Sequence, residues 1–332
     1  MRVPICARTR RSSLWTAPDE VMTTALAAVP EIHAFPGNEA LARAIADTLG
    51  ATVRPVVVDR FPDGEARVRV GGDRSRRPTV LVCSLQHADE KILPLLFAAG
   101  ALRELGAPHV GLVAPYLAYM RQDRAFHEGE AVSAVHFAGV LSDAVDWLVT
   151  VEPHLHRIAS LDSIYSIPAC AVHVSALLAK WISANVANAV VIGPDAESRQ
   201  WARAVADAAG VPFEILAKRR LSGDRVEVTV PHIDRWRDRT PVIVDDVVST
   251  GRTMLETVRH LRDAGARDPV CVAVHALFAG DSYSALFRSG VTRVVTTNTI
   301  AHASNAIDVS GCVAAAVAAF AKFPARAVTG QG

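Results

Sequence analysis

The sequence predicts an α/β protein with two similar domains, each built on a mostly parallel sheet covered by helices on both faces. Three observations carry this expectation. The chain has 332 residues, the length of two domains at roughly 150 residues each. Short apolar runs alternate with segments of helical period, as in parallel strands joined by crossover helices. The alternation occurs twice in the same style, on either side of residues 167–174. Half of the residues are hydrophobic and 21% are charged, enough apolar material for two cores.

Residues 1–30 open with a basic, then polar stretch that lacks the apolar segment of a secretory signal. They read as a disordered extension, with Met22 a plausible start. Domains are expected over 31–170 and 171–325. Asn38 reads as a helix N-cap, followed by Leu41, Ile45 and Leu49 at helical spacing until Gly50. A strand over 53–59, the turn Phe61-Pro62-Asp63-Gly64 and an alternating run over 66–70 make a hairpin. Next come a strand over 80–84, a helix over 90–105, a strand over 110–115, a helix over 133–141 and a strand over 147–152. The second half repeats the style. It has a helix over 175–184, a strand over 189–193, a helix over 197–209 and short strands over 213–216 and 226–230. A strand over 241–244, a helix over 253–264, a strand over 270–277, a helix over 282–288 and a strand over 293–297 complete it.

Lys and Arg number 35 against 34 Asp and Glu, so no global field draws the chain to nucleic acid or to a membrane surface. Anion binding must be local. The five cysteines are odd in number and scattered, which fits neither a disulfide framework nor a zinc site and reads as a reducing, cytoplasmic setting. No apolar run approaches the ~20 residues of a membrane span.

The strongest chemical signal is residues 241–254, PVIVDDVVSTGRTM. An apolar strand ends in Asp245 and Asp246, then a small hydroxyl-rich loop opens a helix. In such a loop, backbone N–H groups and the helix N-terminus favour an anion. Ser249, Thr250 and Thr253 add hydroxyl donors, Gly251 permits close approach, and Arg252 stands beside them. The two acids suit the vicinal hydroxyls of a ribose whose 5-phosphate sits in the loop. An acidic turn before a capped helix would look similar, but two acids with no local cation make that reading poor.

Other segments have plain readings as well as functional ones. Phe61, Asp63, Gly64 and Glu65 form a hairpin tip whose ring could stack on a base. Arg121 and Gln122 supply a fork donor and an amide suited to a nucleotide, or part of a solvated charge run. His154 could be a satisfied core histidine, but it follows a strand C-terminus, where ligands of open sheets bind. Asp195 could cap a helix. Lys218 and Arg220 could be surface cations, or could stabilise charge on a transferring group.

Together these segments resemble the ribose-phosphate pyrophosphokinase (phosphoribosyl pyrophosphate synthetase) family. The stretch 241–254 resembles its phosphoribosyl-binding motif, which type I phosphoribosyltransferases share. FPDGE at 61–65 resembles its adenine-binding hairpin, and PYLAYMRQDR at 115–124 its second ATP segment. VEPH at 151–154 resembles its metal-binding strand end, GPD at 193–195 its pyrophosphate loop, AKRR at 217–220 the root of its catalytic loop and TNTI at 297–300 its C-terminal signature. The resemblance covers residues 32–308 in order. It implies two phosphoribosyltransferase-type domains and diphosphoryl transfer from ATP to ribose 5-phosphate, giving phosphoribosyl pyrophosphate and AMP. It implies Mg²⁺ at His154 and Asp195, with Lys218 and Arg220 on the transferring phosphates. Asp245 and Asp246 would hold the ribose, partly through a second Mg²⁺, and residues 249–253 the 5-phosphate. Phe61, Asp63, Gly64, Glu65, Arg121 and Gln122 would hold ATP. In the family the hairpin reaches a neighbouring subunit's adenine, so a homo-oligomer is implied.

The chain departs from the family pattern in places. Glu152 stands where Asp is usual, Arg157 where Gln is common, and DAES at 195–198 replaces a Gly-rich run. Ser249 replaces Asp and Arg252 replaces Gly. The bridge after Arg124 is short, as in members without the long regulatory loop. A phosphoribosyltransferase and a catalytically silent regulatory homologue are the rival readings. The first needs no ATP site, and the second has no reason to keep Lys218, Arg220, His154 and both acids.

Overall fold

The computed structural model describes residues 29–72, 77–155, 157–220, 226–229 and 235–320, with the backbone alone for 217–220 and 226–229. The expected extension over residues 1–30 therefore lies outside the described residues, apart from Val29 and Pro30.

The first half contains β1 (Glu31–Ala34), α1 (Glu39–Leu49), β2 (Thr52–Arg60), β3 (Ala66–Val70), β4 (Thr79–Val82) and α2 (Ala88–Glu104). It continues through β5 (Val110–Ala114), α3 (Ser133–Ala144), β6 (Trp147–Val151) and β7 (Ala169–Val172). Its seven strands lie in the order β3-β2-β1-β4-β5-β6-β7, parallel except for the β2–β3 hairpin. The second half contains α4 (Ser175–Asn185), β8 (Ala189–Gly193), α5 (Arg199–Ala209), β9 (Phe213–Ile215), β10 (Ala217–Arg220) and β11 (Val226–Thr229). Then come β12 (Thr240–Val248), α6 (Arg252–Asp263), β13 (Val270–Ala276), α7 (Ser282–Arg288), β14 (Arg293–Thr297), β15 (Asn305–Ile307) and α8 (Ser310–Phe320). Six strands form a second parallel sheet in the order β15-β14-β13-β12-β8-β9, while β10 and β11 pair as a separate antiparallel ribbon.

The alternation of side chains along each strand divides the interior into three cores. Leu81, Leu112 and Leu148 face an outer core of the first half with Leu95 and Leu141. Ile192, Ile243 and Cys271 face an outer core of the second half with Val258 and Leu261. The opposite faces of both sheets, including Val82, Val149, Val191, Val244 and Val272, share one continuous middle core with Ile45, Ile182 and Val317. The halves are thus welded through apolar burial, and truncating a fully buried Ile182 to Ala would cost about 2–5 kcal/mol.

α8 makes the weld explicit. Its last residue, Phe320, stacks on Trp147 of β6 with ring centroids 5.0 Å apart. The indole in turn lies over β5, where a Cβ on Gly111 would stand 2.0 Å from it. Only glycine fits there, because the clash would be with a ring and not with a flexible chain end.

One local expectation is corrected. Asn38 precedes α1 but makes no side-chain cap. Its Oδ1 instead accepts the Ser84 N–H at 2.8 Å, and its Nδ2 donates to the Pro36 carbonyl at 3.2 Å. The amide ties the β1–α1 turn to the end of β4, a long-range use that local sequence does not reveal.

Candidate active site between the two sheets

The strands of the two parallel sheets end toward one another, and hydrogen bonds cross between their C-terminal ends. Ser84, just past β4, donates its hydroxyl to the Thr299 carbonyl, just past β14. His275 of β13 places Nε2 3.0 Å from the Val151 carbonyl and 3.3 Å from that of Glu152, at the end of β6. His154 Nδ1 lies 2.6 Å from Asp246 Oδ2. Ligands of parallel sheets bind beyond the carboxyl ends of the strands, so this apposition makes the cleft between the halves the place for a site.

On the second-half wall, β12 runs four residues past the expected end at 244, carrying Asp245 and Asp246 inside the strand. β13 holds it in register, with Asp245 beside Ala273 and Val247 beside His275. The following loop is pinned from behind. Phe278 N–H donates to the Val248 carbonyl at 2.9 Å and Ala279 N–H to that of Ser249 at 3.0 Å, while the Ser282 hydroxyl donates to the same Ser249 carbonyl at 2.9 Å. Phe278 adopts φ 29°, an unusual value for a bulky residue. Gly251 caps α6 at φ 68°, where its missing Cβ leaves room beside Ser282, 3.4 Å away. The loop's own backbone therefore has its carbonyls engaged behind it, and α6 opens into the cleft with Thr250, Arg252 and Thr253 exposed.

The two acids ionise differently. Burial, then the neighbouring Asp246 charge, push the Asp245 carboxyl well above the usual carboxylate range, and Asp195 adds to the effect. For Asp246, burial acts in the same upward direction, but the hydrogen bond and charge of His154 outweigh it and hold the group at about 2. The pair thus differs in proton affinity, with Asp245 driven toward its neutral form and Asp246 held as a carboxylate that only accepts. That combination suits two adjacent hydroxyls of a sugar.

The first-half wall is looser. Glu152 ends β6 at φ 35° and turns its carboxylate away from the cleft, accepting Val174 N–H at 2.7 Å and lying 3.1 Å from His173 Nδ1. Tyr116 packs edge-on against His275, ring centroids 5.0 Å apart, and burial raises its phenol despite the nearby Arg121 cation. Arg121 itself is exposed. Gln122 Oε1 accepts the Ser133 hydroxyl at 2.7 Å, so its amide N–H₂ is the end left to face a ligand. The hairpin tip closes on itself: Phe61 N–H donates to the Glu65 carbonyl at 2.9 Å and Glu65 N–H to Asp63 Oδ1 at 3.1 Å. Its residues are exposed, Phe61 by 48%.

Asp195 follows β8 and folds a turn in front of α5, with Oδ1 accepting Ser198 N–H at 3.0 Å and its carbonyl accepting the Ser198 hydroxyl at 2.8 Å. It remains close enough to raise the Asp245 carboxyl. Lys218 and Arg220 lie on β10, but their side chains, and the residues 221–225 that follow this root, lie outside the described residues. The structure therefore gathers His154, Asp195, Asp245, Asp246 and the 249–253 loop at one place, whereas the tip at 61–65 bonds only within its own hairpin among the described contacts. Among the described residues no group of three or more His, Cys, Asp or Glu side chains is arranged to hold a metal by itself.

Several residues shape the cleft without having announced themselves. His275 is fully buried and lowered to about 4 by that burial; a histidine in the last residues of an apolar strand is the faint signal for it. Lys91 donates to the Ser84 carbonyl at 2.6 Å, and burial lowers its ammonium. Nothing in its local sequence marks it.

Comparisons with known proteins align with this geometry. Residues 31–144 match the N-terminal domain of ribose phosphate pyrophosphokinase, and residues 160–310 match the phosphoribosyl transferase domain. The ribose-phosphate pyrophosphokinase of Methanopyrus kandleri is 38% identical over 83% of this chain and 94% of its own. That of Methanothermobacter thermautotrophicus is 34% identical over 83% of this chain and 96% of its own. A phosphoribosylpyrophosphate synthetase from Mycobacterium smegmatis superposes with a TM-score of 0.76 over 88% of this chain and 98% of its own, at 23% identity. At that identity the superposition speaks for the fold.

Proposed function

The chain belongs to the ribose-phosphate pyrophosphokinase family, and from that premise we propose that it transfers the diphosphoryl group of ATP to the anomeric hydroxyl of ribose 5-phosphate. The products are phosphoribosyl pyrophosphate and AMP. The observation that carries the reading is the His154–Asp246 contact of 2.6 Å, which joins the strand end of the proposed ATP-binding half, residues 31–170, to the sugar-binding acids of the other, residues 171–325. A transferase acting on preformed phosphoribosyl pyrophosphate would have no use for that first half.

The chain's residues divide the work by position. The 249–253 loop receives the 5-phosphate through backbone N–H groups and the Thr250 and Thr253 hydroxyls, with Arg252 adding charge. Asp245 and Asp246 hold the 2- and 3-hydroxyls and so aim the 1-hydroxyl across the cleft. Arg121 and the free amide of Gln122 bind ATP on the facing wall, and Phe61, Asp63, Gly64 and Glu65 close over the adenine of a neighbouring subunit in a homo-oligomer. The exposure of the hairpin tip in a single chain supports that arrangement. Lys218 and Arg220 stabilise charge on the phosphates during transfer. Phosphoryl transfer needs positioning and charge stabilisation more than a protein nucleophile.

Mg²⁺ fits the donor set. Asp195, Asp245 and Asp246 are hard oxygen donors, and the crowding that drives Asp245 toward its neutral form is what a divalent cation would relieve. Mg²⁺ takes one or two carboxylates and completes its shell with waters and substrate phosphates, so an incomplete protein cage is compatible with it. His154 and Asp195 would hold one ion and the acid pair a second. The ion would neutralise phosphate charge. The four described cysteines are free, which supports a reducing, cytoplasmic setting, and among the described residues no helix is long and apolar enough to cross a membrane.

The test is to incubate the protein with Mg²⁺, ATP and ribose 5-phosphate and follow the phosphorus spectrum. AMP should appear in step with phosphoribosyl pyrophosphate. ADP as the sole nucleotide product would overturn diphosphoryl transfer.

A further inference from the structure

Arg157 lies in the segment after His154 and touches two other loops of the cleft. Its Nη1 donates to both carboxylate oxygens of Asp123, at 3.1 and 3.3 Å. Its Nη2 stands 3.9 Å from Glu197 Oε1. The two partners differ sharply. Asp123, in the nucleotide segment 121–124, has a side chain only 1% exposed. Glu197, in the turn between β8 and α5, has one 61% exposed. A buried carboxylate left without its cation is costly, so the Asp123 contact is durable. An exposed pair at 3.9 Å is worth little and is easily exchanged. The guanidinium is itself 43% exposed, and its planar fork leaves further N–H donors for a second oxyanion.

We propose that Arg157 is a ligand-exchanging cation: Asp123 anchors it, Glu197 holds its outer nitrogen in the free protein, and the polyphosphate of a bound nucleotide displaces Glu197. Arg157 and Glu197 are both departures from the family pattern. Their proximity makes sense of two substitutions at once, as a cation brought to the cleft and a carboxylate that keeps it placed. The inference rests on the reading of residues 121–124 as the nucleotide segment. It adds a phosphate-binding group and a residue that competes with phosphate for it.

The predicted signature is a coupling between the two positions that depends on phosphate number. Titration calorimetry would measure ATP and AMP binding with Mg²⁺ and no ribose 5-phosphate, so that nothing turns over. In Glu197→Gln, ATP should bind about 3-fold more tightly or better, since a weak ion pair no longer competes. AMP affinity should hardly change. In Arg157→Gln, ATP should bind about 10-fold more weakly, the loss of a charged hydrogen bond. Adding Glu197→Gln to that variant should then bring no gain.

Simple repulsion between Glu197 and the phosphates predicts the opposite, the same gain with or without Arg157, and that result overturns the proposal. So does unchanged ATP binding in Glu197→Gln. Because Arg157→Gln strands a buried carboxylate, the cycle is repeated in Asp123→Asn/Arg157→Gln, which leaves a neutral pair. Glu197→Gln sits on an exposed turn, and unchanged ATP binding in it overturns the proposal even if both other variants fail to fold. A wild-type protein that binds no ATP and forms no AMP would instead count against the proposed function.

Discussion

On the second-half wall of the cleft, Asp245, Asp246 and the 249–251 turn are held by β13, by the 278–282 segment and by His154 before any ligand arrives. On the first-half wall, Arg121 and the whole 61–65 tip stand exposed, and the tip's hydrogen bonds close on its own backbone or reach back to Arg60. The proposed sugar side is preorganised, and the proposed nucleotide side is not. Preorganised donors lose no freedom on binding, so the sugar phosphate should find a ready site while ATP has to assemble its own. The first consequence is that substitutions on the sugar side should act on affinity through charge and hydrogen bonding. Those on the nucleotide side should act through ordering and through neighbouring copies of the chain.

Lys218, on β10, offers the largest effect. If Lys218 on β10 acts only on charge that develops during transfer, Lys218→Ala should lower kcat by ~10²-fold or more with little change in either KM. Near-normal turnover would remove it from the mechanism and leave the two walls as the whole apparatus.

The preorganised side depends on His275, whose ring joins β13 to the end of β6. Burial lowers it to about 4 from an ordinary 6.5. A neutral buried imidazole contributes its stability fully above pH 6.5, and loses it as pH falls toward the folded value, because the unfolded chain takes up the proton first. At ~1.4 kcal/mol per unit, that is about 3–4 kcal/mol between pH 6.5 and 4. His275→Gln keeps a donor for the Val151 carbonyl but has no proton to take up, so its denaturation midpoints should lose this slope. Parallel pH profiles for the two proteins would show that His275 does not govern acid stability.

Asp246→Asn tests the same wall more gently. It removes the charge that faces His154 and turns one acceptor oxygen into a donor. Ribose 5-phosphate should bind ~10-fold more weakly, the cost of one charged hydrogen bond, while ATP binding is largely kept. Calorimetry showing equal losses for both ligands would dissolve the distinction between the walls.

The contrast also explains what could be read in the sequence. The 241–254 motif, the hairpin and nearly all strands with uniform apolar runs were legible, because their chemistry is local. The extension of β12 to Val248 was not, since two acids inside a buried strand make sense only with His154, 92 positions from Asp246, as a partner. β1 escaped because its four residues are all buried yet include Glu31 and His33, whose carboxylate and Nε2 lie 3.3 Å apart. α8 escaped because its alanine-rich sequence has little amphipathic period; its packing partners, Trp147 and α1, lie in the other half. In each case the missing information was a long-range contact.

The smallest effect probes the unfinished side. Phe61 is 48% exposed, with the Arg67 guanidinium of its own hairpin over the ring at 5.8 Å from the centroid. Aromatic stacking is worth about 0.5–1.5 kcal/mol, so Phe61→Ala should raise the KM for ATP by ~10-fold or less and leave ribose 5-phosphate untouched. If the ring serves its own subunit, mixing Phe61→Ala with Lys218→Ala gives only the average of two impaired proteins. If the ring reaches across to another subunit, a mixed assembly contains sites with an intact Lys218 from one chain and an intact Phe61 from its neighbour. For a randomly exchanging dimer, about a quarter of all sites would be whole. Activity assayed at subsaturating ATP should then rise above the average of the two variants after subunit exchange. A rise would place the nucleotide site between subunits and explain why one chain leaves that wall open. Strict averaging after proven exchange would return the hairpin to its own chain.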